Sequence, residues 1–374
     1  MKKAGIITIH NAYNYGAVLQ SVATMKVIEN LGVECELIDY DAPKFADDRQ
    51  LFHKPDSISN IINDIRNLVS YKRLSQRKKA FVQFMNRNYK VSDKKYYCED
   101  DFKSEDFNYD YYITGSDQTF SLHLRGDTEE MKPFFLKHAK NGKRISYASS
   151  MGEKMEEISE EEKAWLCERF RSYDSLSVRE KLSVDYIERL TGSRPQLVMD
   201  PTFLMDKMQW DELSADTKYD KDDYILFYSV LSDKWVVDRV KEISKISGLK
   251  VIAPHPQNRF ELATKFTRAE YCGPDEFVSL IKNAKFVVTT SFHATAFSIN
   301  YNVPFITFLL GEGNRISSLL NTLGLQEQIV REDEDFRKID FKNPTMDFKK
   351  ANENLEAERR KSLKFLKKAL DIGE

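Results

Sequence analysis

The chain has 374 residues, of which 41% are hydrophobic and 31% charged, a balance typical of folded globular proteins. Its length predicts two domains of ordinary size, and its net charge of -2 argues against a dedicated nucleic-acid-binding protein. No apolar run is long enough to span a membrane. The four cysteines are isolated, which argues against a disulfide framework or a zinc site and fits reduced thiols in the cytoplasm.

Short apolar runs alternate with amphipathic stretches, which predicts βα units around mainly parallel sheets. The apolar part of residues 4–10 is too short for a signal peptide and indicates a first buried strand. The predicted elements of the first half are strand 4–10, helix 16–31, strand 34–39, a helical stretch at 57–90, strands 111–115 and 143–148, helix 159–171, strand 174–178, helix 180–191 and strand 196–199.

The turn Asp200-Pro201-Thr202 predicts a domain boundary, so we expect an N-terminal domain at 1–202 and a C-terminal domain at 203–345. The predicted elements of the second half are strand 223–229, helix 233–246, strand 249–253, helix 274–283, strand 285–289, helix 293–301, strand 304–308 and helix 314–323. Leucines at helical spacing predict a terminal helix at about 350–371, within a segment 346–374 that packs on one of the domains. The expected fold class is therefore α/β, with two Rossmann-like domains and a cleft between them in which ligands bind beyond the strand ends.

Two loops in the first half follow predicted strands and could bind a ligand. In the first, Asn14, Tyr15 and Gly16 open a helix, where Gly16 would allow close backbone approach and the helix start would favour an anion. An ordinary Asn/Gly turn with packed tyrosines is the alternative. The second loop is the run Ser116-Asp117-Gln118, whose side chains could bind sugar hydroxyls or could simply cap a turn.

An arginine follows strand 174–178. The planar guanidinium of Arg179 matches a carboxylate or phosphate in a bidentate pair. The alternative is an ion pair, either with Glu180 at the surface or as part of the structure.

A histidine lies at the most informative junction of the second half. The apolar run 286–288 ends in small hydroxyl residues, and His293 then opens a helix whose first N–H groups carry positive partial charge. Ser291 precedes it, and a histidine placed there can hold a proton beside a bound anion. A structural histidine is the alternative. In the next glycine loop, Arg315 could add a second anion contact or could be a solvated side chain.

Metal and membrane signals are weak. The triplets Asp39-Tyr40-Asp41 and Asp333-Glu334-Asp335 have the pattern of some metal–nucleotide sites, but an acidic content of 59 residues produces such triplets by chance. We therefore expect no metal. Residues 66–90 hold eight Lys/Arg and no Asp or Glu, which would suit a membrane surface or an anionic lipid-linked acceptor, or else a solvated helix face.

An ordered set of motifs resembles the polysaccharide pyruvyl transferase family over residues 3–325. The motifs are GIITIHNAYNYGAVLQS, ITGSDQ, RISYASSMG, SVRE, VMDPTFLM and SFHATAFSINYNVPF. The resemblance implies a two-domain α/β fold similar to the GT-B glycosyltransferases. It also implies transfer of pyruvate from phosphoenolpyruvate onto a sugar as a ketal, with no further cofactor.

The resemblance also implies roles for the junction residues. His293 would be the general acid that protonates the enol carbon, since its type of side chain donates protons near neutral pH. Arg179 would be the main anchor for the donor, with Ser291 and Arg315 nearby. The residues implied on the acceptor side are Asn14, Tyr15, Gly16, Ser116, Asp117 and Gln118.

The implied partners are phosphoenolpyruvate and an acceptor that is a sugar or a lipid-linked oligosaccharide. The expected location is the cytoplasm, or the inner face of the membrane if residues 66–90 contact the membrane. The run after Gln118 is Thr119-Phe120-Ser121 where the family often has Val/Ile-Trp-Asn, which indicates a different sugar. Two other functions fit the residues: a glycosyltransferase with a nucleotide-sugar donor, and a non-catalytic sugar-binding protein.

Overall fold

The computed structural model describes residues 2–373 except 48, 51–57, 106, 125, 127, 153–154, 156–157, 232, 255–258, 312 and 337–338. The chain forms two compact units, each assembled from separate stretches. The first unit comprises Met1–Gln50, Met85–Met205 and Glu356–Glu374, and the second comprises Leu51–Phe84 and Asp206–Leu355. Residues 51–84, which the expected boundary after 202 assigns to the N-terminal domain, thus belong to the second unit.

The first unit is built on a five-stranded parallel sheet with the order β3-β2-β1-β4-β5. Its strands are β1 (Lys3–Ile7), β2 (Glu34–Tyr40), β3 (Val91–Tyr96), β4 (Tyr111–Thr114) and β5 (Lys143–Ser146), and a short parallel pair adds β6 (Ser177–Val178) and β7 (Gln196–Leu197). Its helices are α1 (Tyr15–Asn30), α2 (Pro43–Asp47), the end of α3 (Ile58–Asn88), α4 (Glu160–Arg171) and α5 (Lys181–Thr191).

The second unit contains a six-stranded parallel sheet with the order β10-β9-β8-β11-β12-β13. Its strands are β8 (Tyr224–Tyr228), β9 (Lys250–Ala253), β10 (Thr267–Arg268), β11 (Phe286–Thr289), β12 (Phe305–Phe308) and β13 (Ile329–Val330). Its helices are α6 (Lys207–Leu213), α7 (Lys234–Ser247), α8 (Arg259–Leu262), α9 (Pro274–Lys282), α10 (Phe292–Tyr301) and α11 (Asn314–Leu323). Helix α12 (Lys349–Ala369) begins in the second unit and continues in the first.

Four strands near the centres of the two sheets are buried along their whole length. Every residue of β4, β8, β11 and β12 is buried, as expected for parallel strands covered on both faces by helices. In the second unit, Phe227, Val288 and Ile306 pack in one cluster with Val236 and Val240 of α7. Each such side chain contributes about 1.5–3 kcal/mol through burial, so the apolar runs that predicted these strands also form the core.

The α/β architecture and the main elements are confirmed, with differences at strand ends and sheet edges. Strand β1 ends at Ile7, three residues earlier than expected, because the chain turns at Thr8, whose hydroxyl donates to the carbonyl of Ser116 (2.8 Å). Strand β5 ends at Ser146 rather than at 148, because Ala148 has a φ of 54°, which a strand does not adopt. The short strands β3, β10 and β13 were not predicted. None of the helices in the described part of the chain combines the length and apolar character needed to cross a membrane.

Candidate active site

In the first unit, the polar loops meet at the carboxyl edge of the sheet. Strands β1, β4 and β5 are parallel neighbours, and the loops that follow them therefore lie on the same side. The β4 loop is tied to the β5 loop by a parallel bridge between Asp117 and Ser149, and Ser149 in turn bridges to Val178 at the end of β6. This pairing brings Arg179, the residue after β6, to the loop that contains Asp117.

Arg179 is surrounded by carboxylates. Its Nη1 donates to Asp200 Oδ2 (2.9 Å) and its Nη2 donates to Asp117 Oδ1 (3.2 Å). The Nε lies 3.9 Å from Glu180 Oε2. One positive charge therefore faces three negative ones. Burial alone would lower the pKa of Arg179, but the charges of these three carboxylates outweigh it and raise the pKa.

The burial of this cluster changes the interpretation of Arg179. Its side chain is 0% exposed, as is that of Asp200, and the side chain of Glu180 is 1% exposed. These are the contacts of a structural ion pair, which was the alternative to a substrate anchor, and the role of Arg179 as an anchor stays a prediction.

The neighbours Ser116 and Gln118 differ in their access to a ligand. Ser116 is fully buried, where its hydroxyl hydrogen-bonds with the carbonyl of Ala148 (3.0 Å) and Oδ2 of Asp200 (2.8 Å). Gln118 is only partly buried. A Cβ on Gly152 would lie 2.7 Å from Gln118 Oε1, so the glycine there leaves room for the amide. Of this pair, Gln118 is the residue that can contact a substrate directly.

The loop after β1 is built mainly by capping and burial. Asn14 is the N-cap of α1, and its side chain accepts from the backbone N–H of Ala17 (3.1 Å). Tyr15 is completely buried and Gly16 is buried as well. The structure thus gives Asn14 and Tyr15 the roles of a cap and a core residue, and contact of this loop with an acceptor stays a prediction.

A charged network that the sequence analysis missed lies beside this loop. The ring of His10 is 1% exposed, and its two nitrogens lie 3.1 Å from the carbonyl of Thr8 and 3.2 Å from Asp39 Oδ1. Burial alone would raise the pKa of Asp39, but the hydrogen bond and charge of His10, together with those of Lys95, outweigh it and lower the pKa. Arg49 makes two bonds to Asp41, at 2.7 and 2.6 Å. Cationic partners thus occupy the two carboxylates of the Asp39-Tyr40-Asp41 triplet.

In the second unit, His293 lies in the first turn of α10, as the sequence predicts. Strand β11 ends at Thr289, and Ser291 is the N-cap, whose hydroxyl accepts from the N–H of Ala294 (3.4 Å). The hydroxyl of Thr295 donates to the carbonyl of Ser291 (2.9 Å) and lies 2.8 Å from the hydroxyl of Thr307 at β12. These contacts fix the start of α10 against two central strands. His293 is 7% exposed and packs edge-on against Phe292.

Arg315 lies in the first turn of α11 and is partly buried. The N-cap of this helix is Gly313, with a φ of 58°. A Cβ at this position would lie 2.6 Å from a methyl group of Leu309. The glycine therefore sets both the backbone direction and the close packing from which Arg315 projects.

The basic segment is partly engaged by the second unit. Arg73 pairs with Glu270 at 3.1 Å, and the guanidinium of Arg77 lies over the ring of Phe81. The side chains of residues 66–70 are outside the described residues, and a membrane contact of this segment stays a prediction. Within the described ranges, no group of three or more His, Cys, Asp or Glu side chains could hold a metal ion.

Solved structures with a similar fold include sugar-nucleotide enzymes. The chain is 13% identical to the UDP-GlcNAc 2-epimerase of Methanocaldococcus jannaschii, with a TM-score of 0.50 over 95% of this chain and 92% of that one. It is 13% identical to S. aureus MnaA in a co-structure with UDP, with a TM-score of 0.49 over 100% and 98% of the two chains. It is 12% identical to the E. coli heptosyltransferase WaaC with ADP, with a TM-score of 0.40 over 88% of this chain and 92% of that one. At these identities the likeness concerns the fold alone, and it agrees with the two α/β units of this chain.

The sequence comparison is more specific than the structural one. No curated protein matches the chain significantly. The sequence profile described as polysaccharide pyruvyl transferase matches residues 14–310, which include both candidate loops of the first unit and the junction at His293. With this match over most of its length, the chain belongs to the polysaccharide pyruvyl transferase family, a family of transferases.

Proposed function

We propose that this protein transfers pyruvate from phosphoenolpyruvate onto hydroxyl groups of a sugar in a cell-surface polysaccharide precursor, forming a ketal. Membership of the family supports pyruvyl transfer in general. The observation that carries the specific proposal is the position of His293, a histidine that is 7% exposed, in the first turn of a helix at the carboxyl end of β11. A proton donor beside a helix start fits a reaction in which an anion must be bound and a carbon protonated.

The donor carries a carboxylate and a phosphate, and we assign both groups to the second unit. The start of α10 offers positive partial charge, and Arg315 at the start of α11 offers a guanidinium. Arg179, the anchor expected from the sequence, already faces three carboxylates. A cluster with more negative than positive charge suits hydroxyl groups better than a phosphate.

The proposed reaction proceeds through protonation of the enol. His293 gives a proton to the methylene carbon, and the neighbouring carbon becomes electrophilic. A sugar hydroxyl adds to that carbon, the bond to the phosphate oxygen breaks, and a second hydroxyl closes the ketal. Of the two hydroxyl protons, one replaces the proton lost by His293 and the other leaves with the phosphate.

Binding experiments separate this donor from the alternative. We expect phosphoenolpyruvate to raise the melting temperature and to bind in calorimetry, because a ligand that binds only the folded state stabilises it. UDP-GlcNAc, the ligand of a nucleotide-sugar enzyme, serves as the comparison. Stabilisation by UDP-GlcNAc and not by phosphoenolpyruvate would contradict the proposal.

Turnover tests the role of His293. With a panel of methyl hexosides as acceptors, phosphate release from phosphoenolpyruvate and the mass of the product report the reaction. We expect His293→Ala and His293→Gln to lower turnover by about 10²-fold or more, the usual contribution of a general acid. His123→Ala is the matched control, since His123 is a partly exposed histidine of the first unit that lies 3.5 Å from Glu162. Turnover by His293→Ala near the parental rate would show that His293 is not the acid.

A further inference from the structure

The geometry points to Asp117 as the group that accepts the proton of the attacking sugar hydroxyl, with Arg179 as its positioning residue. This inference rests on the proposed function and deepens it. The reaction needs a proton acceptor for the attacking hydroxyl as well as a proton donor for the enol carbon. The structure distinguishes Asp117 from the other carboxylates around Arg179 in three ways.

The first distinction is exposure. The side chain of Asp117 is 15% exposed, whereas those of Asp200 and Glu180 are 0% and 1% exposed. Asp200 is further engaged by the hydroxyls of Ser116 (2.8 Å) and Thr202 (2.7 Å). Of the three carboxylates, only Asp117 is placed to contact a bound hydroxyl.

The second distinction is that the two carboxylate oxygens of Asp117 have different contacts. Oδ1 of Asp117 accepts from the backbone N–H of Gln118 (2.9 Å) and from Nη2 of Arg179 (3.2 Å). Within the described part of the chain, Oδ2 has no hydrogen-bond donor. One oxygen therefore fixes the orientation of the carboxylate, and the other is available for a hydroxyl proton.

The third distinction is the backbone. Asp117 has a φ of 78°, in the region that favours glycine. The conformation is held because the carbonyl of Asp117 accepts from the N–H of Ser150 (2.8 Å) and the residue bridges to Ser149. Such strain is retained where the surroundings enforce it, and it concentrates at functional sites.

Arg179 positions this carboxylate from inside the unit. Its Nη1 is held by Asp200 (2.9 Å) while Nη2 reaches Asp117. Because the guanidinium is planar, fixing Nη1 also fixes the direction of Nη2. The buried ion pair thus orients the carboxylate of Asp117, and Arg179 does not bind the substrate itself.

The proposed step balances as follows. The hydroxyl oxygen of the sugar forms a bond to the carbon that carries the carboxylate and phosphate, and its proton passes to Oδ2 of Asp117. The bond between that carbon and the phosphate oxygen then breaks, and the proton on Asp117 leaves with the phosphate. The second hydroxyl closes the ketal, and its proton replaces the one that was given to the methylene carbon.

Two substitutions at Asp117 test the inference. Asp117→Asn keeps the shape, and asparagine tolerates a positive φ; Asp117→Gly removes the carboxylate and suits the φ of 78°. With phosphoenolpyruvate and methyl hexosides, we expect both to lower kcat by about 10²-fold or more, with the Kd for phosphoenolpyruvate unchanged. Added formate should restore turnover to Asp117→Gly and not to Asp117→Asn. Asp185→Asn, at an exposed pair with Lys181, is the matched control.

Arg179→Lys tests the positioning role. We expect kcat to fall while the Kd for phosphoenolpyruvate stays the same. A weakened Kd would make Arg179 a donor anchor and would overturn its role as a positioning residue. Parental turnover by Asp117→Asn, or a formate-insensitive Asp117→Gly, would overturn the role of Asp117 alone. Absence of phosphoenolpyruvate-dependent phosphate release by the unaltered protein would overturn the proposed function and this inference with it.

Discussion

At the scale of single residues, the surroundings of Arg179 show what the sequence could not reveal. The residue type and its place after a strand indicated an anionic partner. The partners come from Asp200, 21 positions away, and from Asp117, 62 positions away. No local pattern encodes such distances, because they are set by the order of strands in the sheet. The charge balance of the cluster therefore could be seen only in the fold.

Removing the cation from this cluster should destabilise the first unit. Arg179→Met would leave two fully buried carboxylates without their partner, and breaking a buried pair in this way costs about 3–5 kcal/mol. Urea unfolding measures the free energy of unfolding. Arg194→Met is the control, because its pairs are exposed and should contribute about 1 kcal/mol or less. Equal losses in the two variants would contradict this account of the cluster.

His138 should make stability depend on pH. Its ring stacks on Phe102, and both ring nitrogens lack a hydrogen-bond partner in the described part of the chain. Burial, with a smaller effect from Arg144, lowers the pKa of His138 from 6.5 to about 4. The folded state therefore resists a proton that the unfolded state accepts. Above pH 6.5 the effect is absent, and between pH 6.5 and 4 it should remove up to about 3 kcal/mol.

The variant His138→Phe isolates this effect from other acid sensitivity. It keeps an aromatic ring in the stack and removes the titrating group. The free energies of unfolding of parent and variant should be compared from pH 7 to pH 4.5. We expect the free energy of unfolding of the variant to rise relative to that of the parent as the pH falls. A difference that stays constant with pH would show that His138 is not responsible.

At the scale of elements, apolar patterning was sufficient to predict the strands in the middle of a sheet and insufficient to predict the strands at its edges. Strands β8, β11 and β12 are wholly buried, so their sequences are continuous apolar runs. Strand β3 has the sequence VSDKKY and is mostly exposed at the edge of its sheet, where polar residues are tolerated. Its pairing with β2 depends on long-range contacts that the local sequence does not show.

Substitution of the N-cap of α10 tests whether this helix start contributes to turnover as well as to stability. Ser291→Ala removes the N-cap of α10 and should cost about 0.5–2 kcal/mol. Ser159→Ala removes the equivalent N-cap of α4. We expect similar losses of stability in urea, but only Ser291→Ala should also lower turnover, because His293 lies in the first turn of α10. Equal turnover in the two variants would contradict the placement of the reaction at α10.

At the scale of the whole molecule, the two parallel sheets agree with the α/β fold that the alternation of elements predicted. The assignment of residues to the two units was harder to foresee. The second unit takes two separate stretches, Leu51–Phe84 and Asp206–Leu355, and the first unit takes the three stretches on either side of them. Two of the boundaries between these stretches fall inside the helices α3 and α12, where no turn signal marks them.

Deleting residues 349–374 should therefore destabilise the first unit. The hydroxyl of Ser362 accepts from the N–H of Met199 (2.9 Å), Arg359 donates to the carbonyl of Phe203, and Tyr111 donates to the carbonyl of Leu370. We expect the truncated protein to unfold at a lower urea concentration and to be cleaved by protease within residues 85–205. Ser362→Ala, which removes one of these bonds, is the milder comparison. Unchanged protease resistance in the truncated protein would contradict the structural role of α12.

The discontinuous first unit also has a consequence for protein synthesis. Its strands β1 to β7 emerge from the ribosome long before the segment Glu356–Glu374 that completes the unit. Throughout that interval the nascent first unit lacks the part of α12 that belongs to it. The carboxylate cluster around Arg179 therefore belongs to a unit whose segments are separated in the chain by the whole of Asp206–Leu355, so its assembly has to wait for the segment Glu356–Glu374.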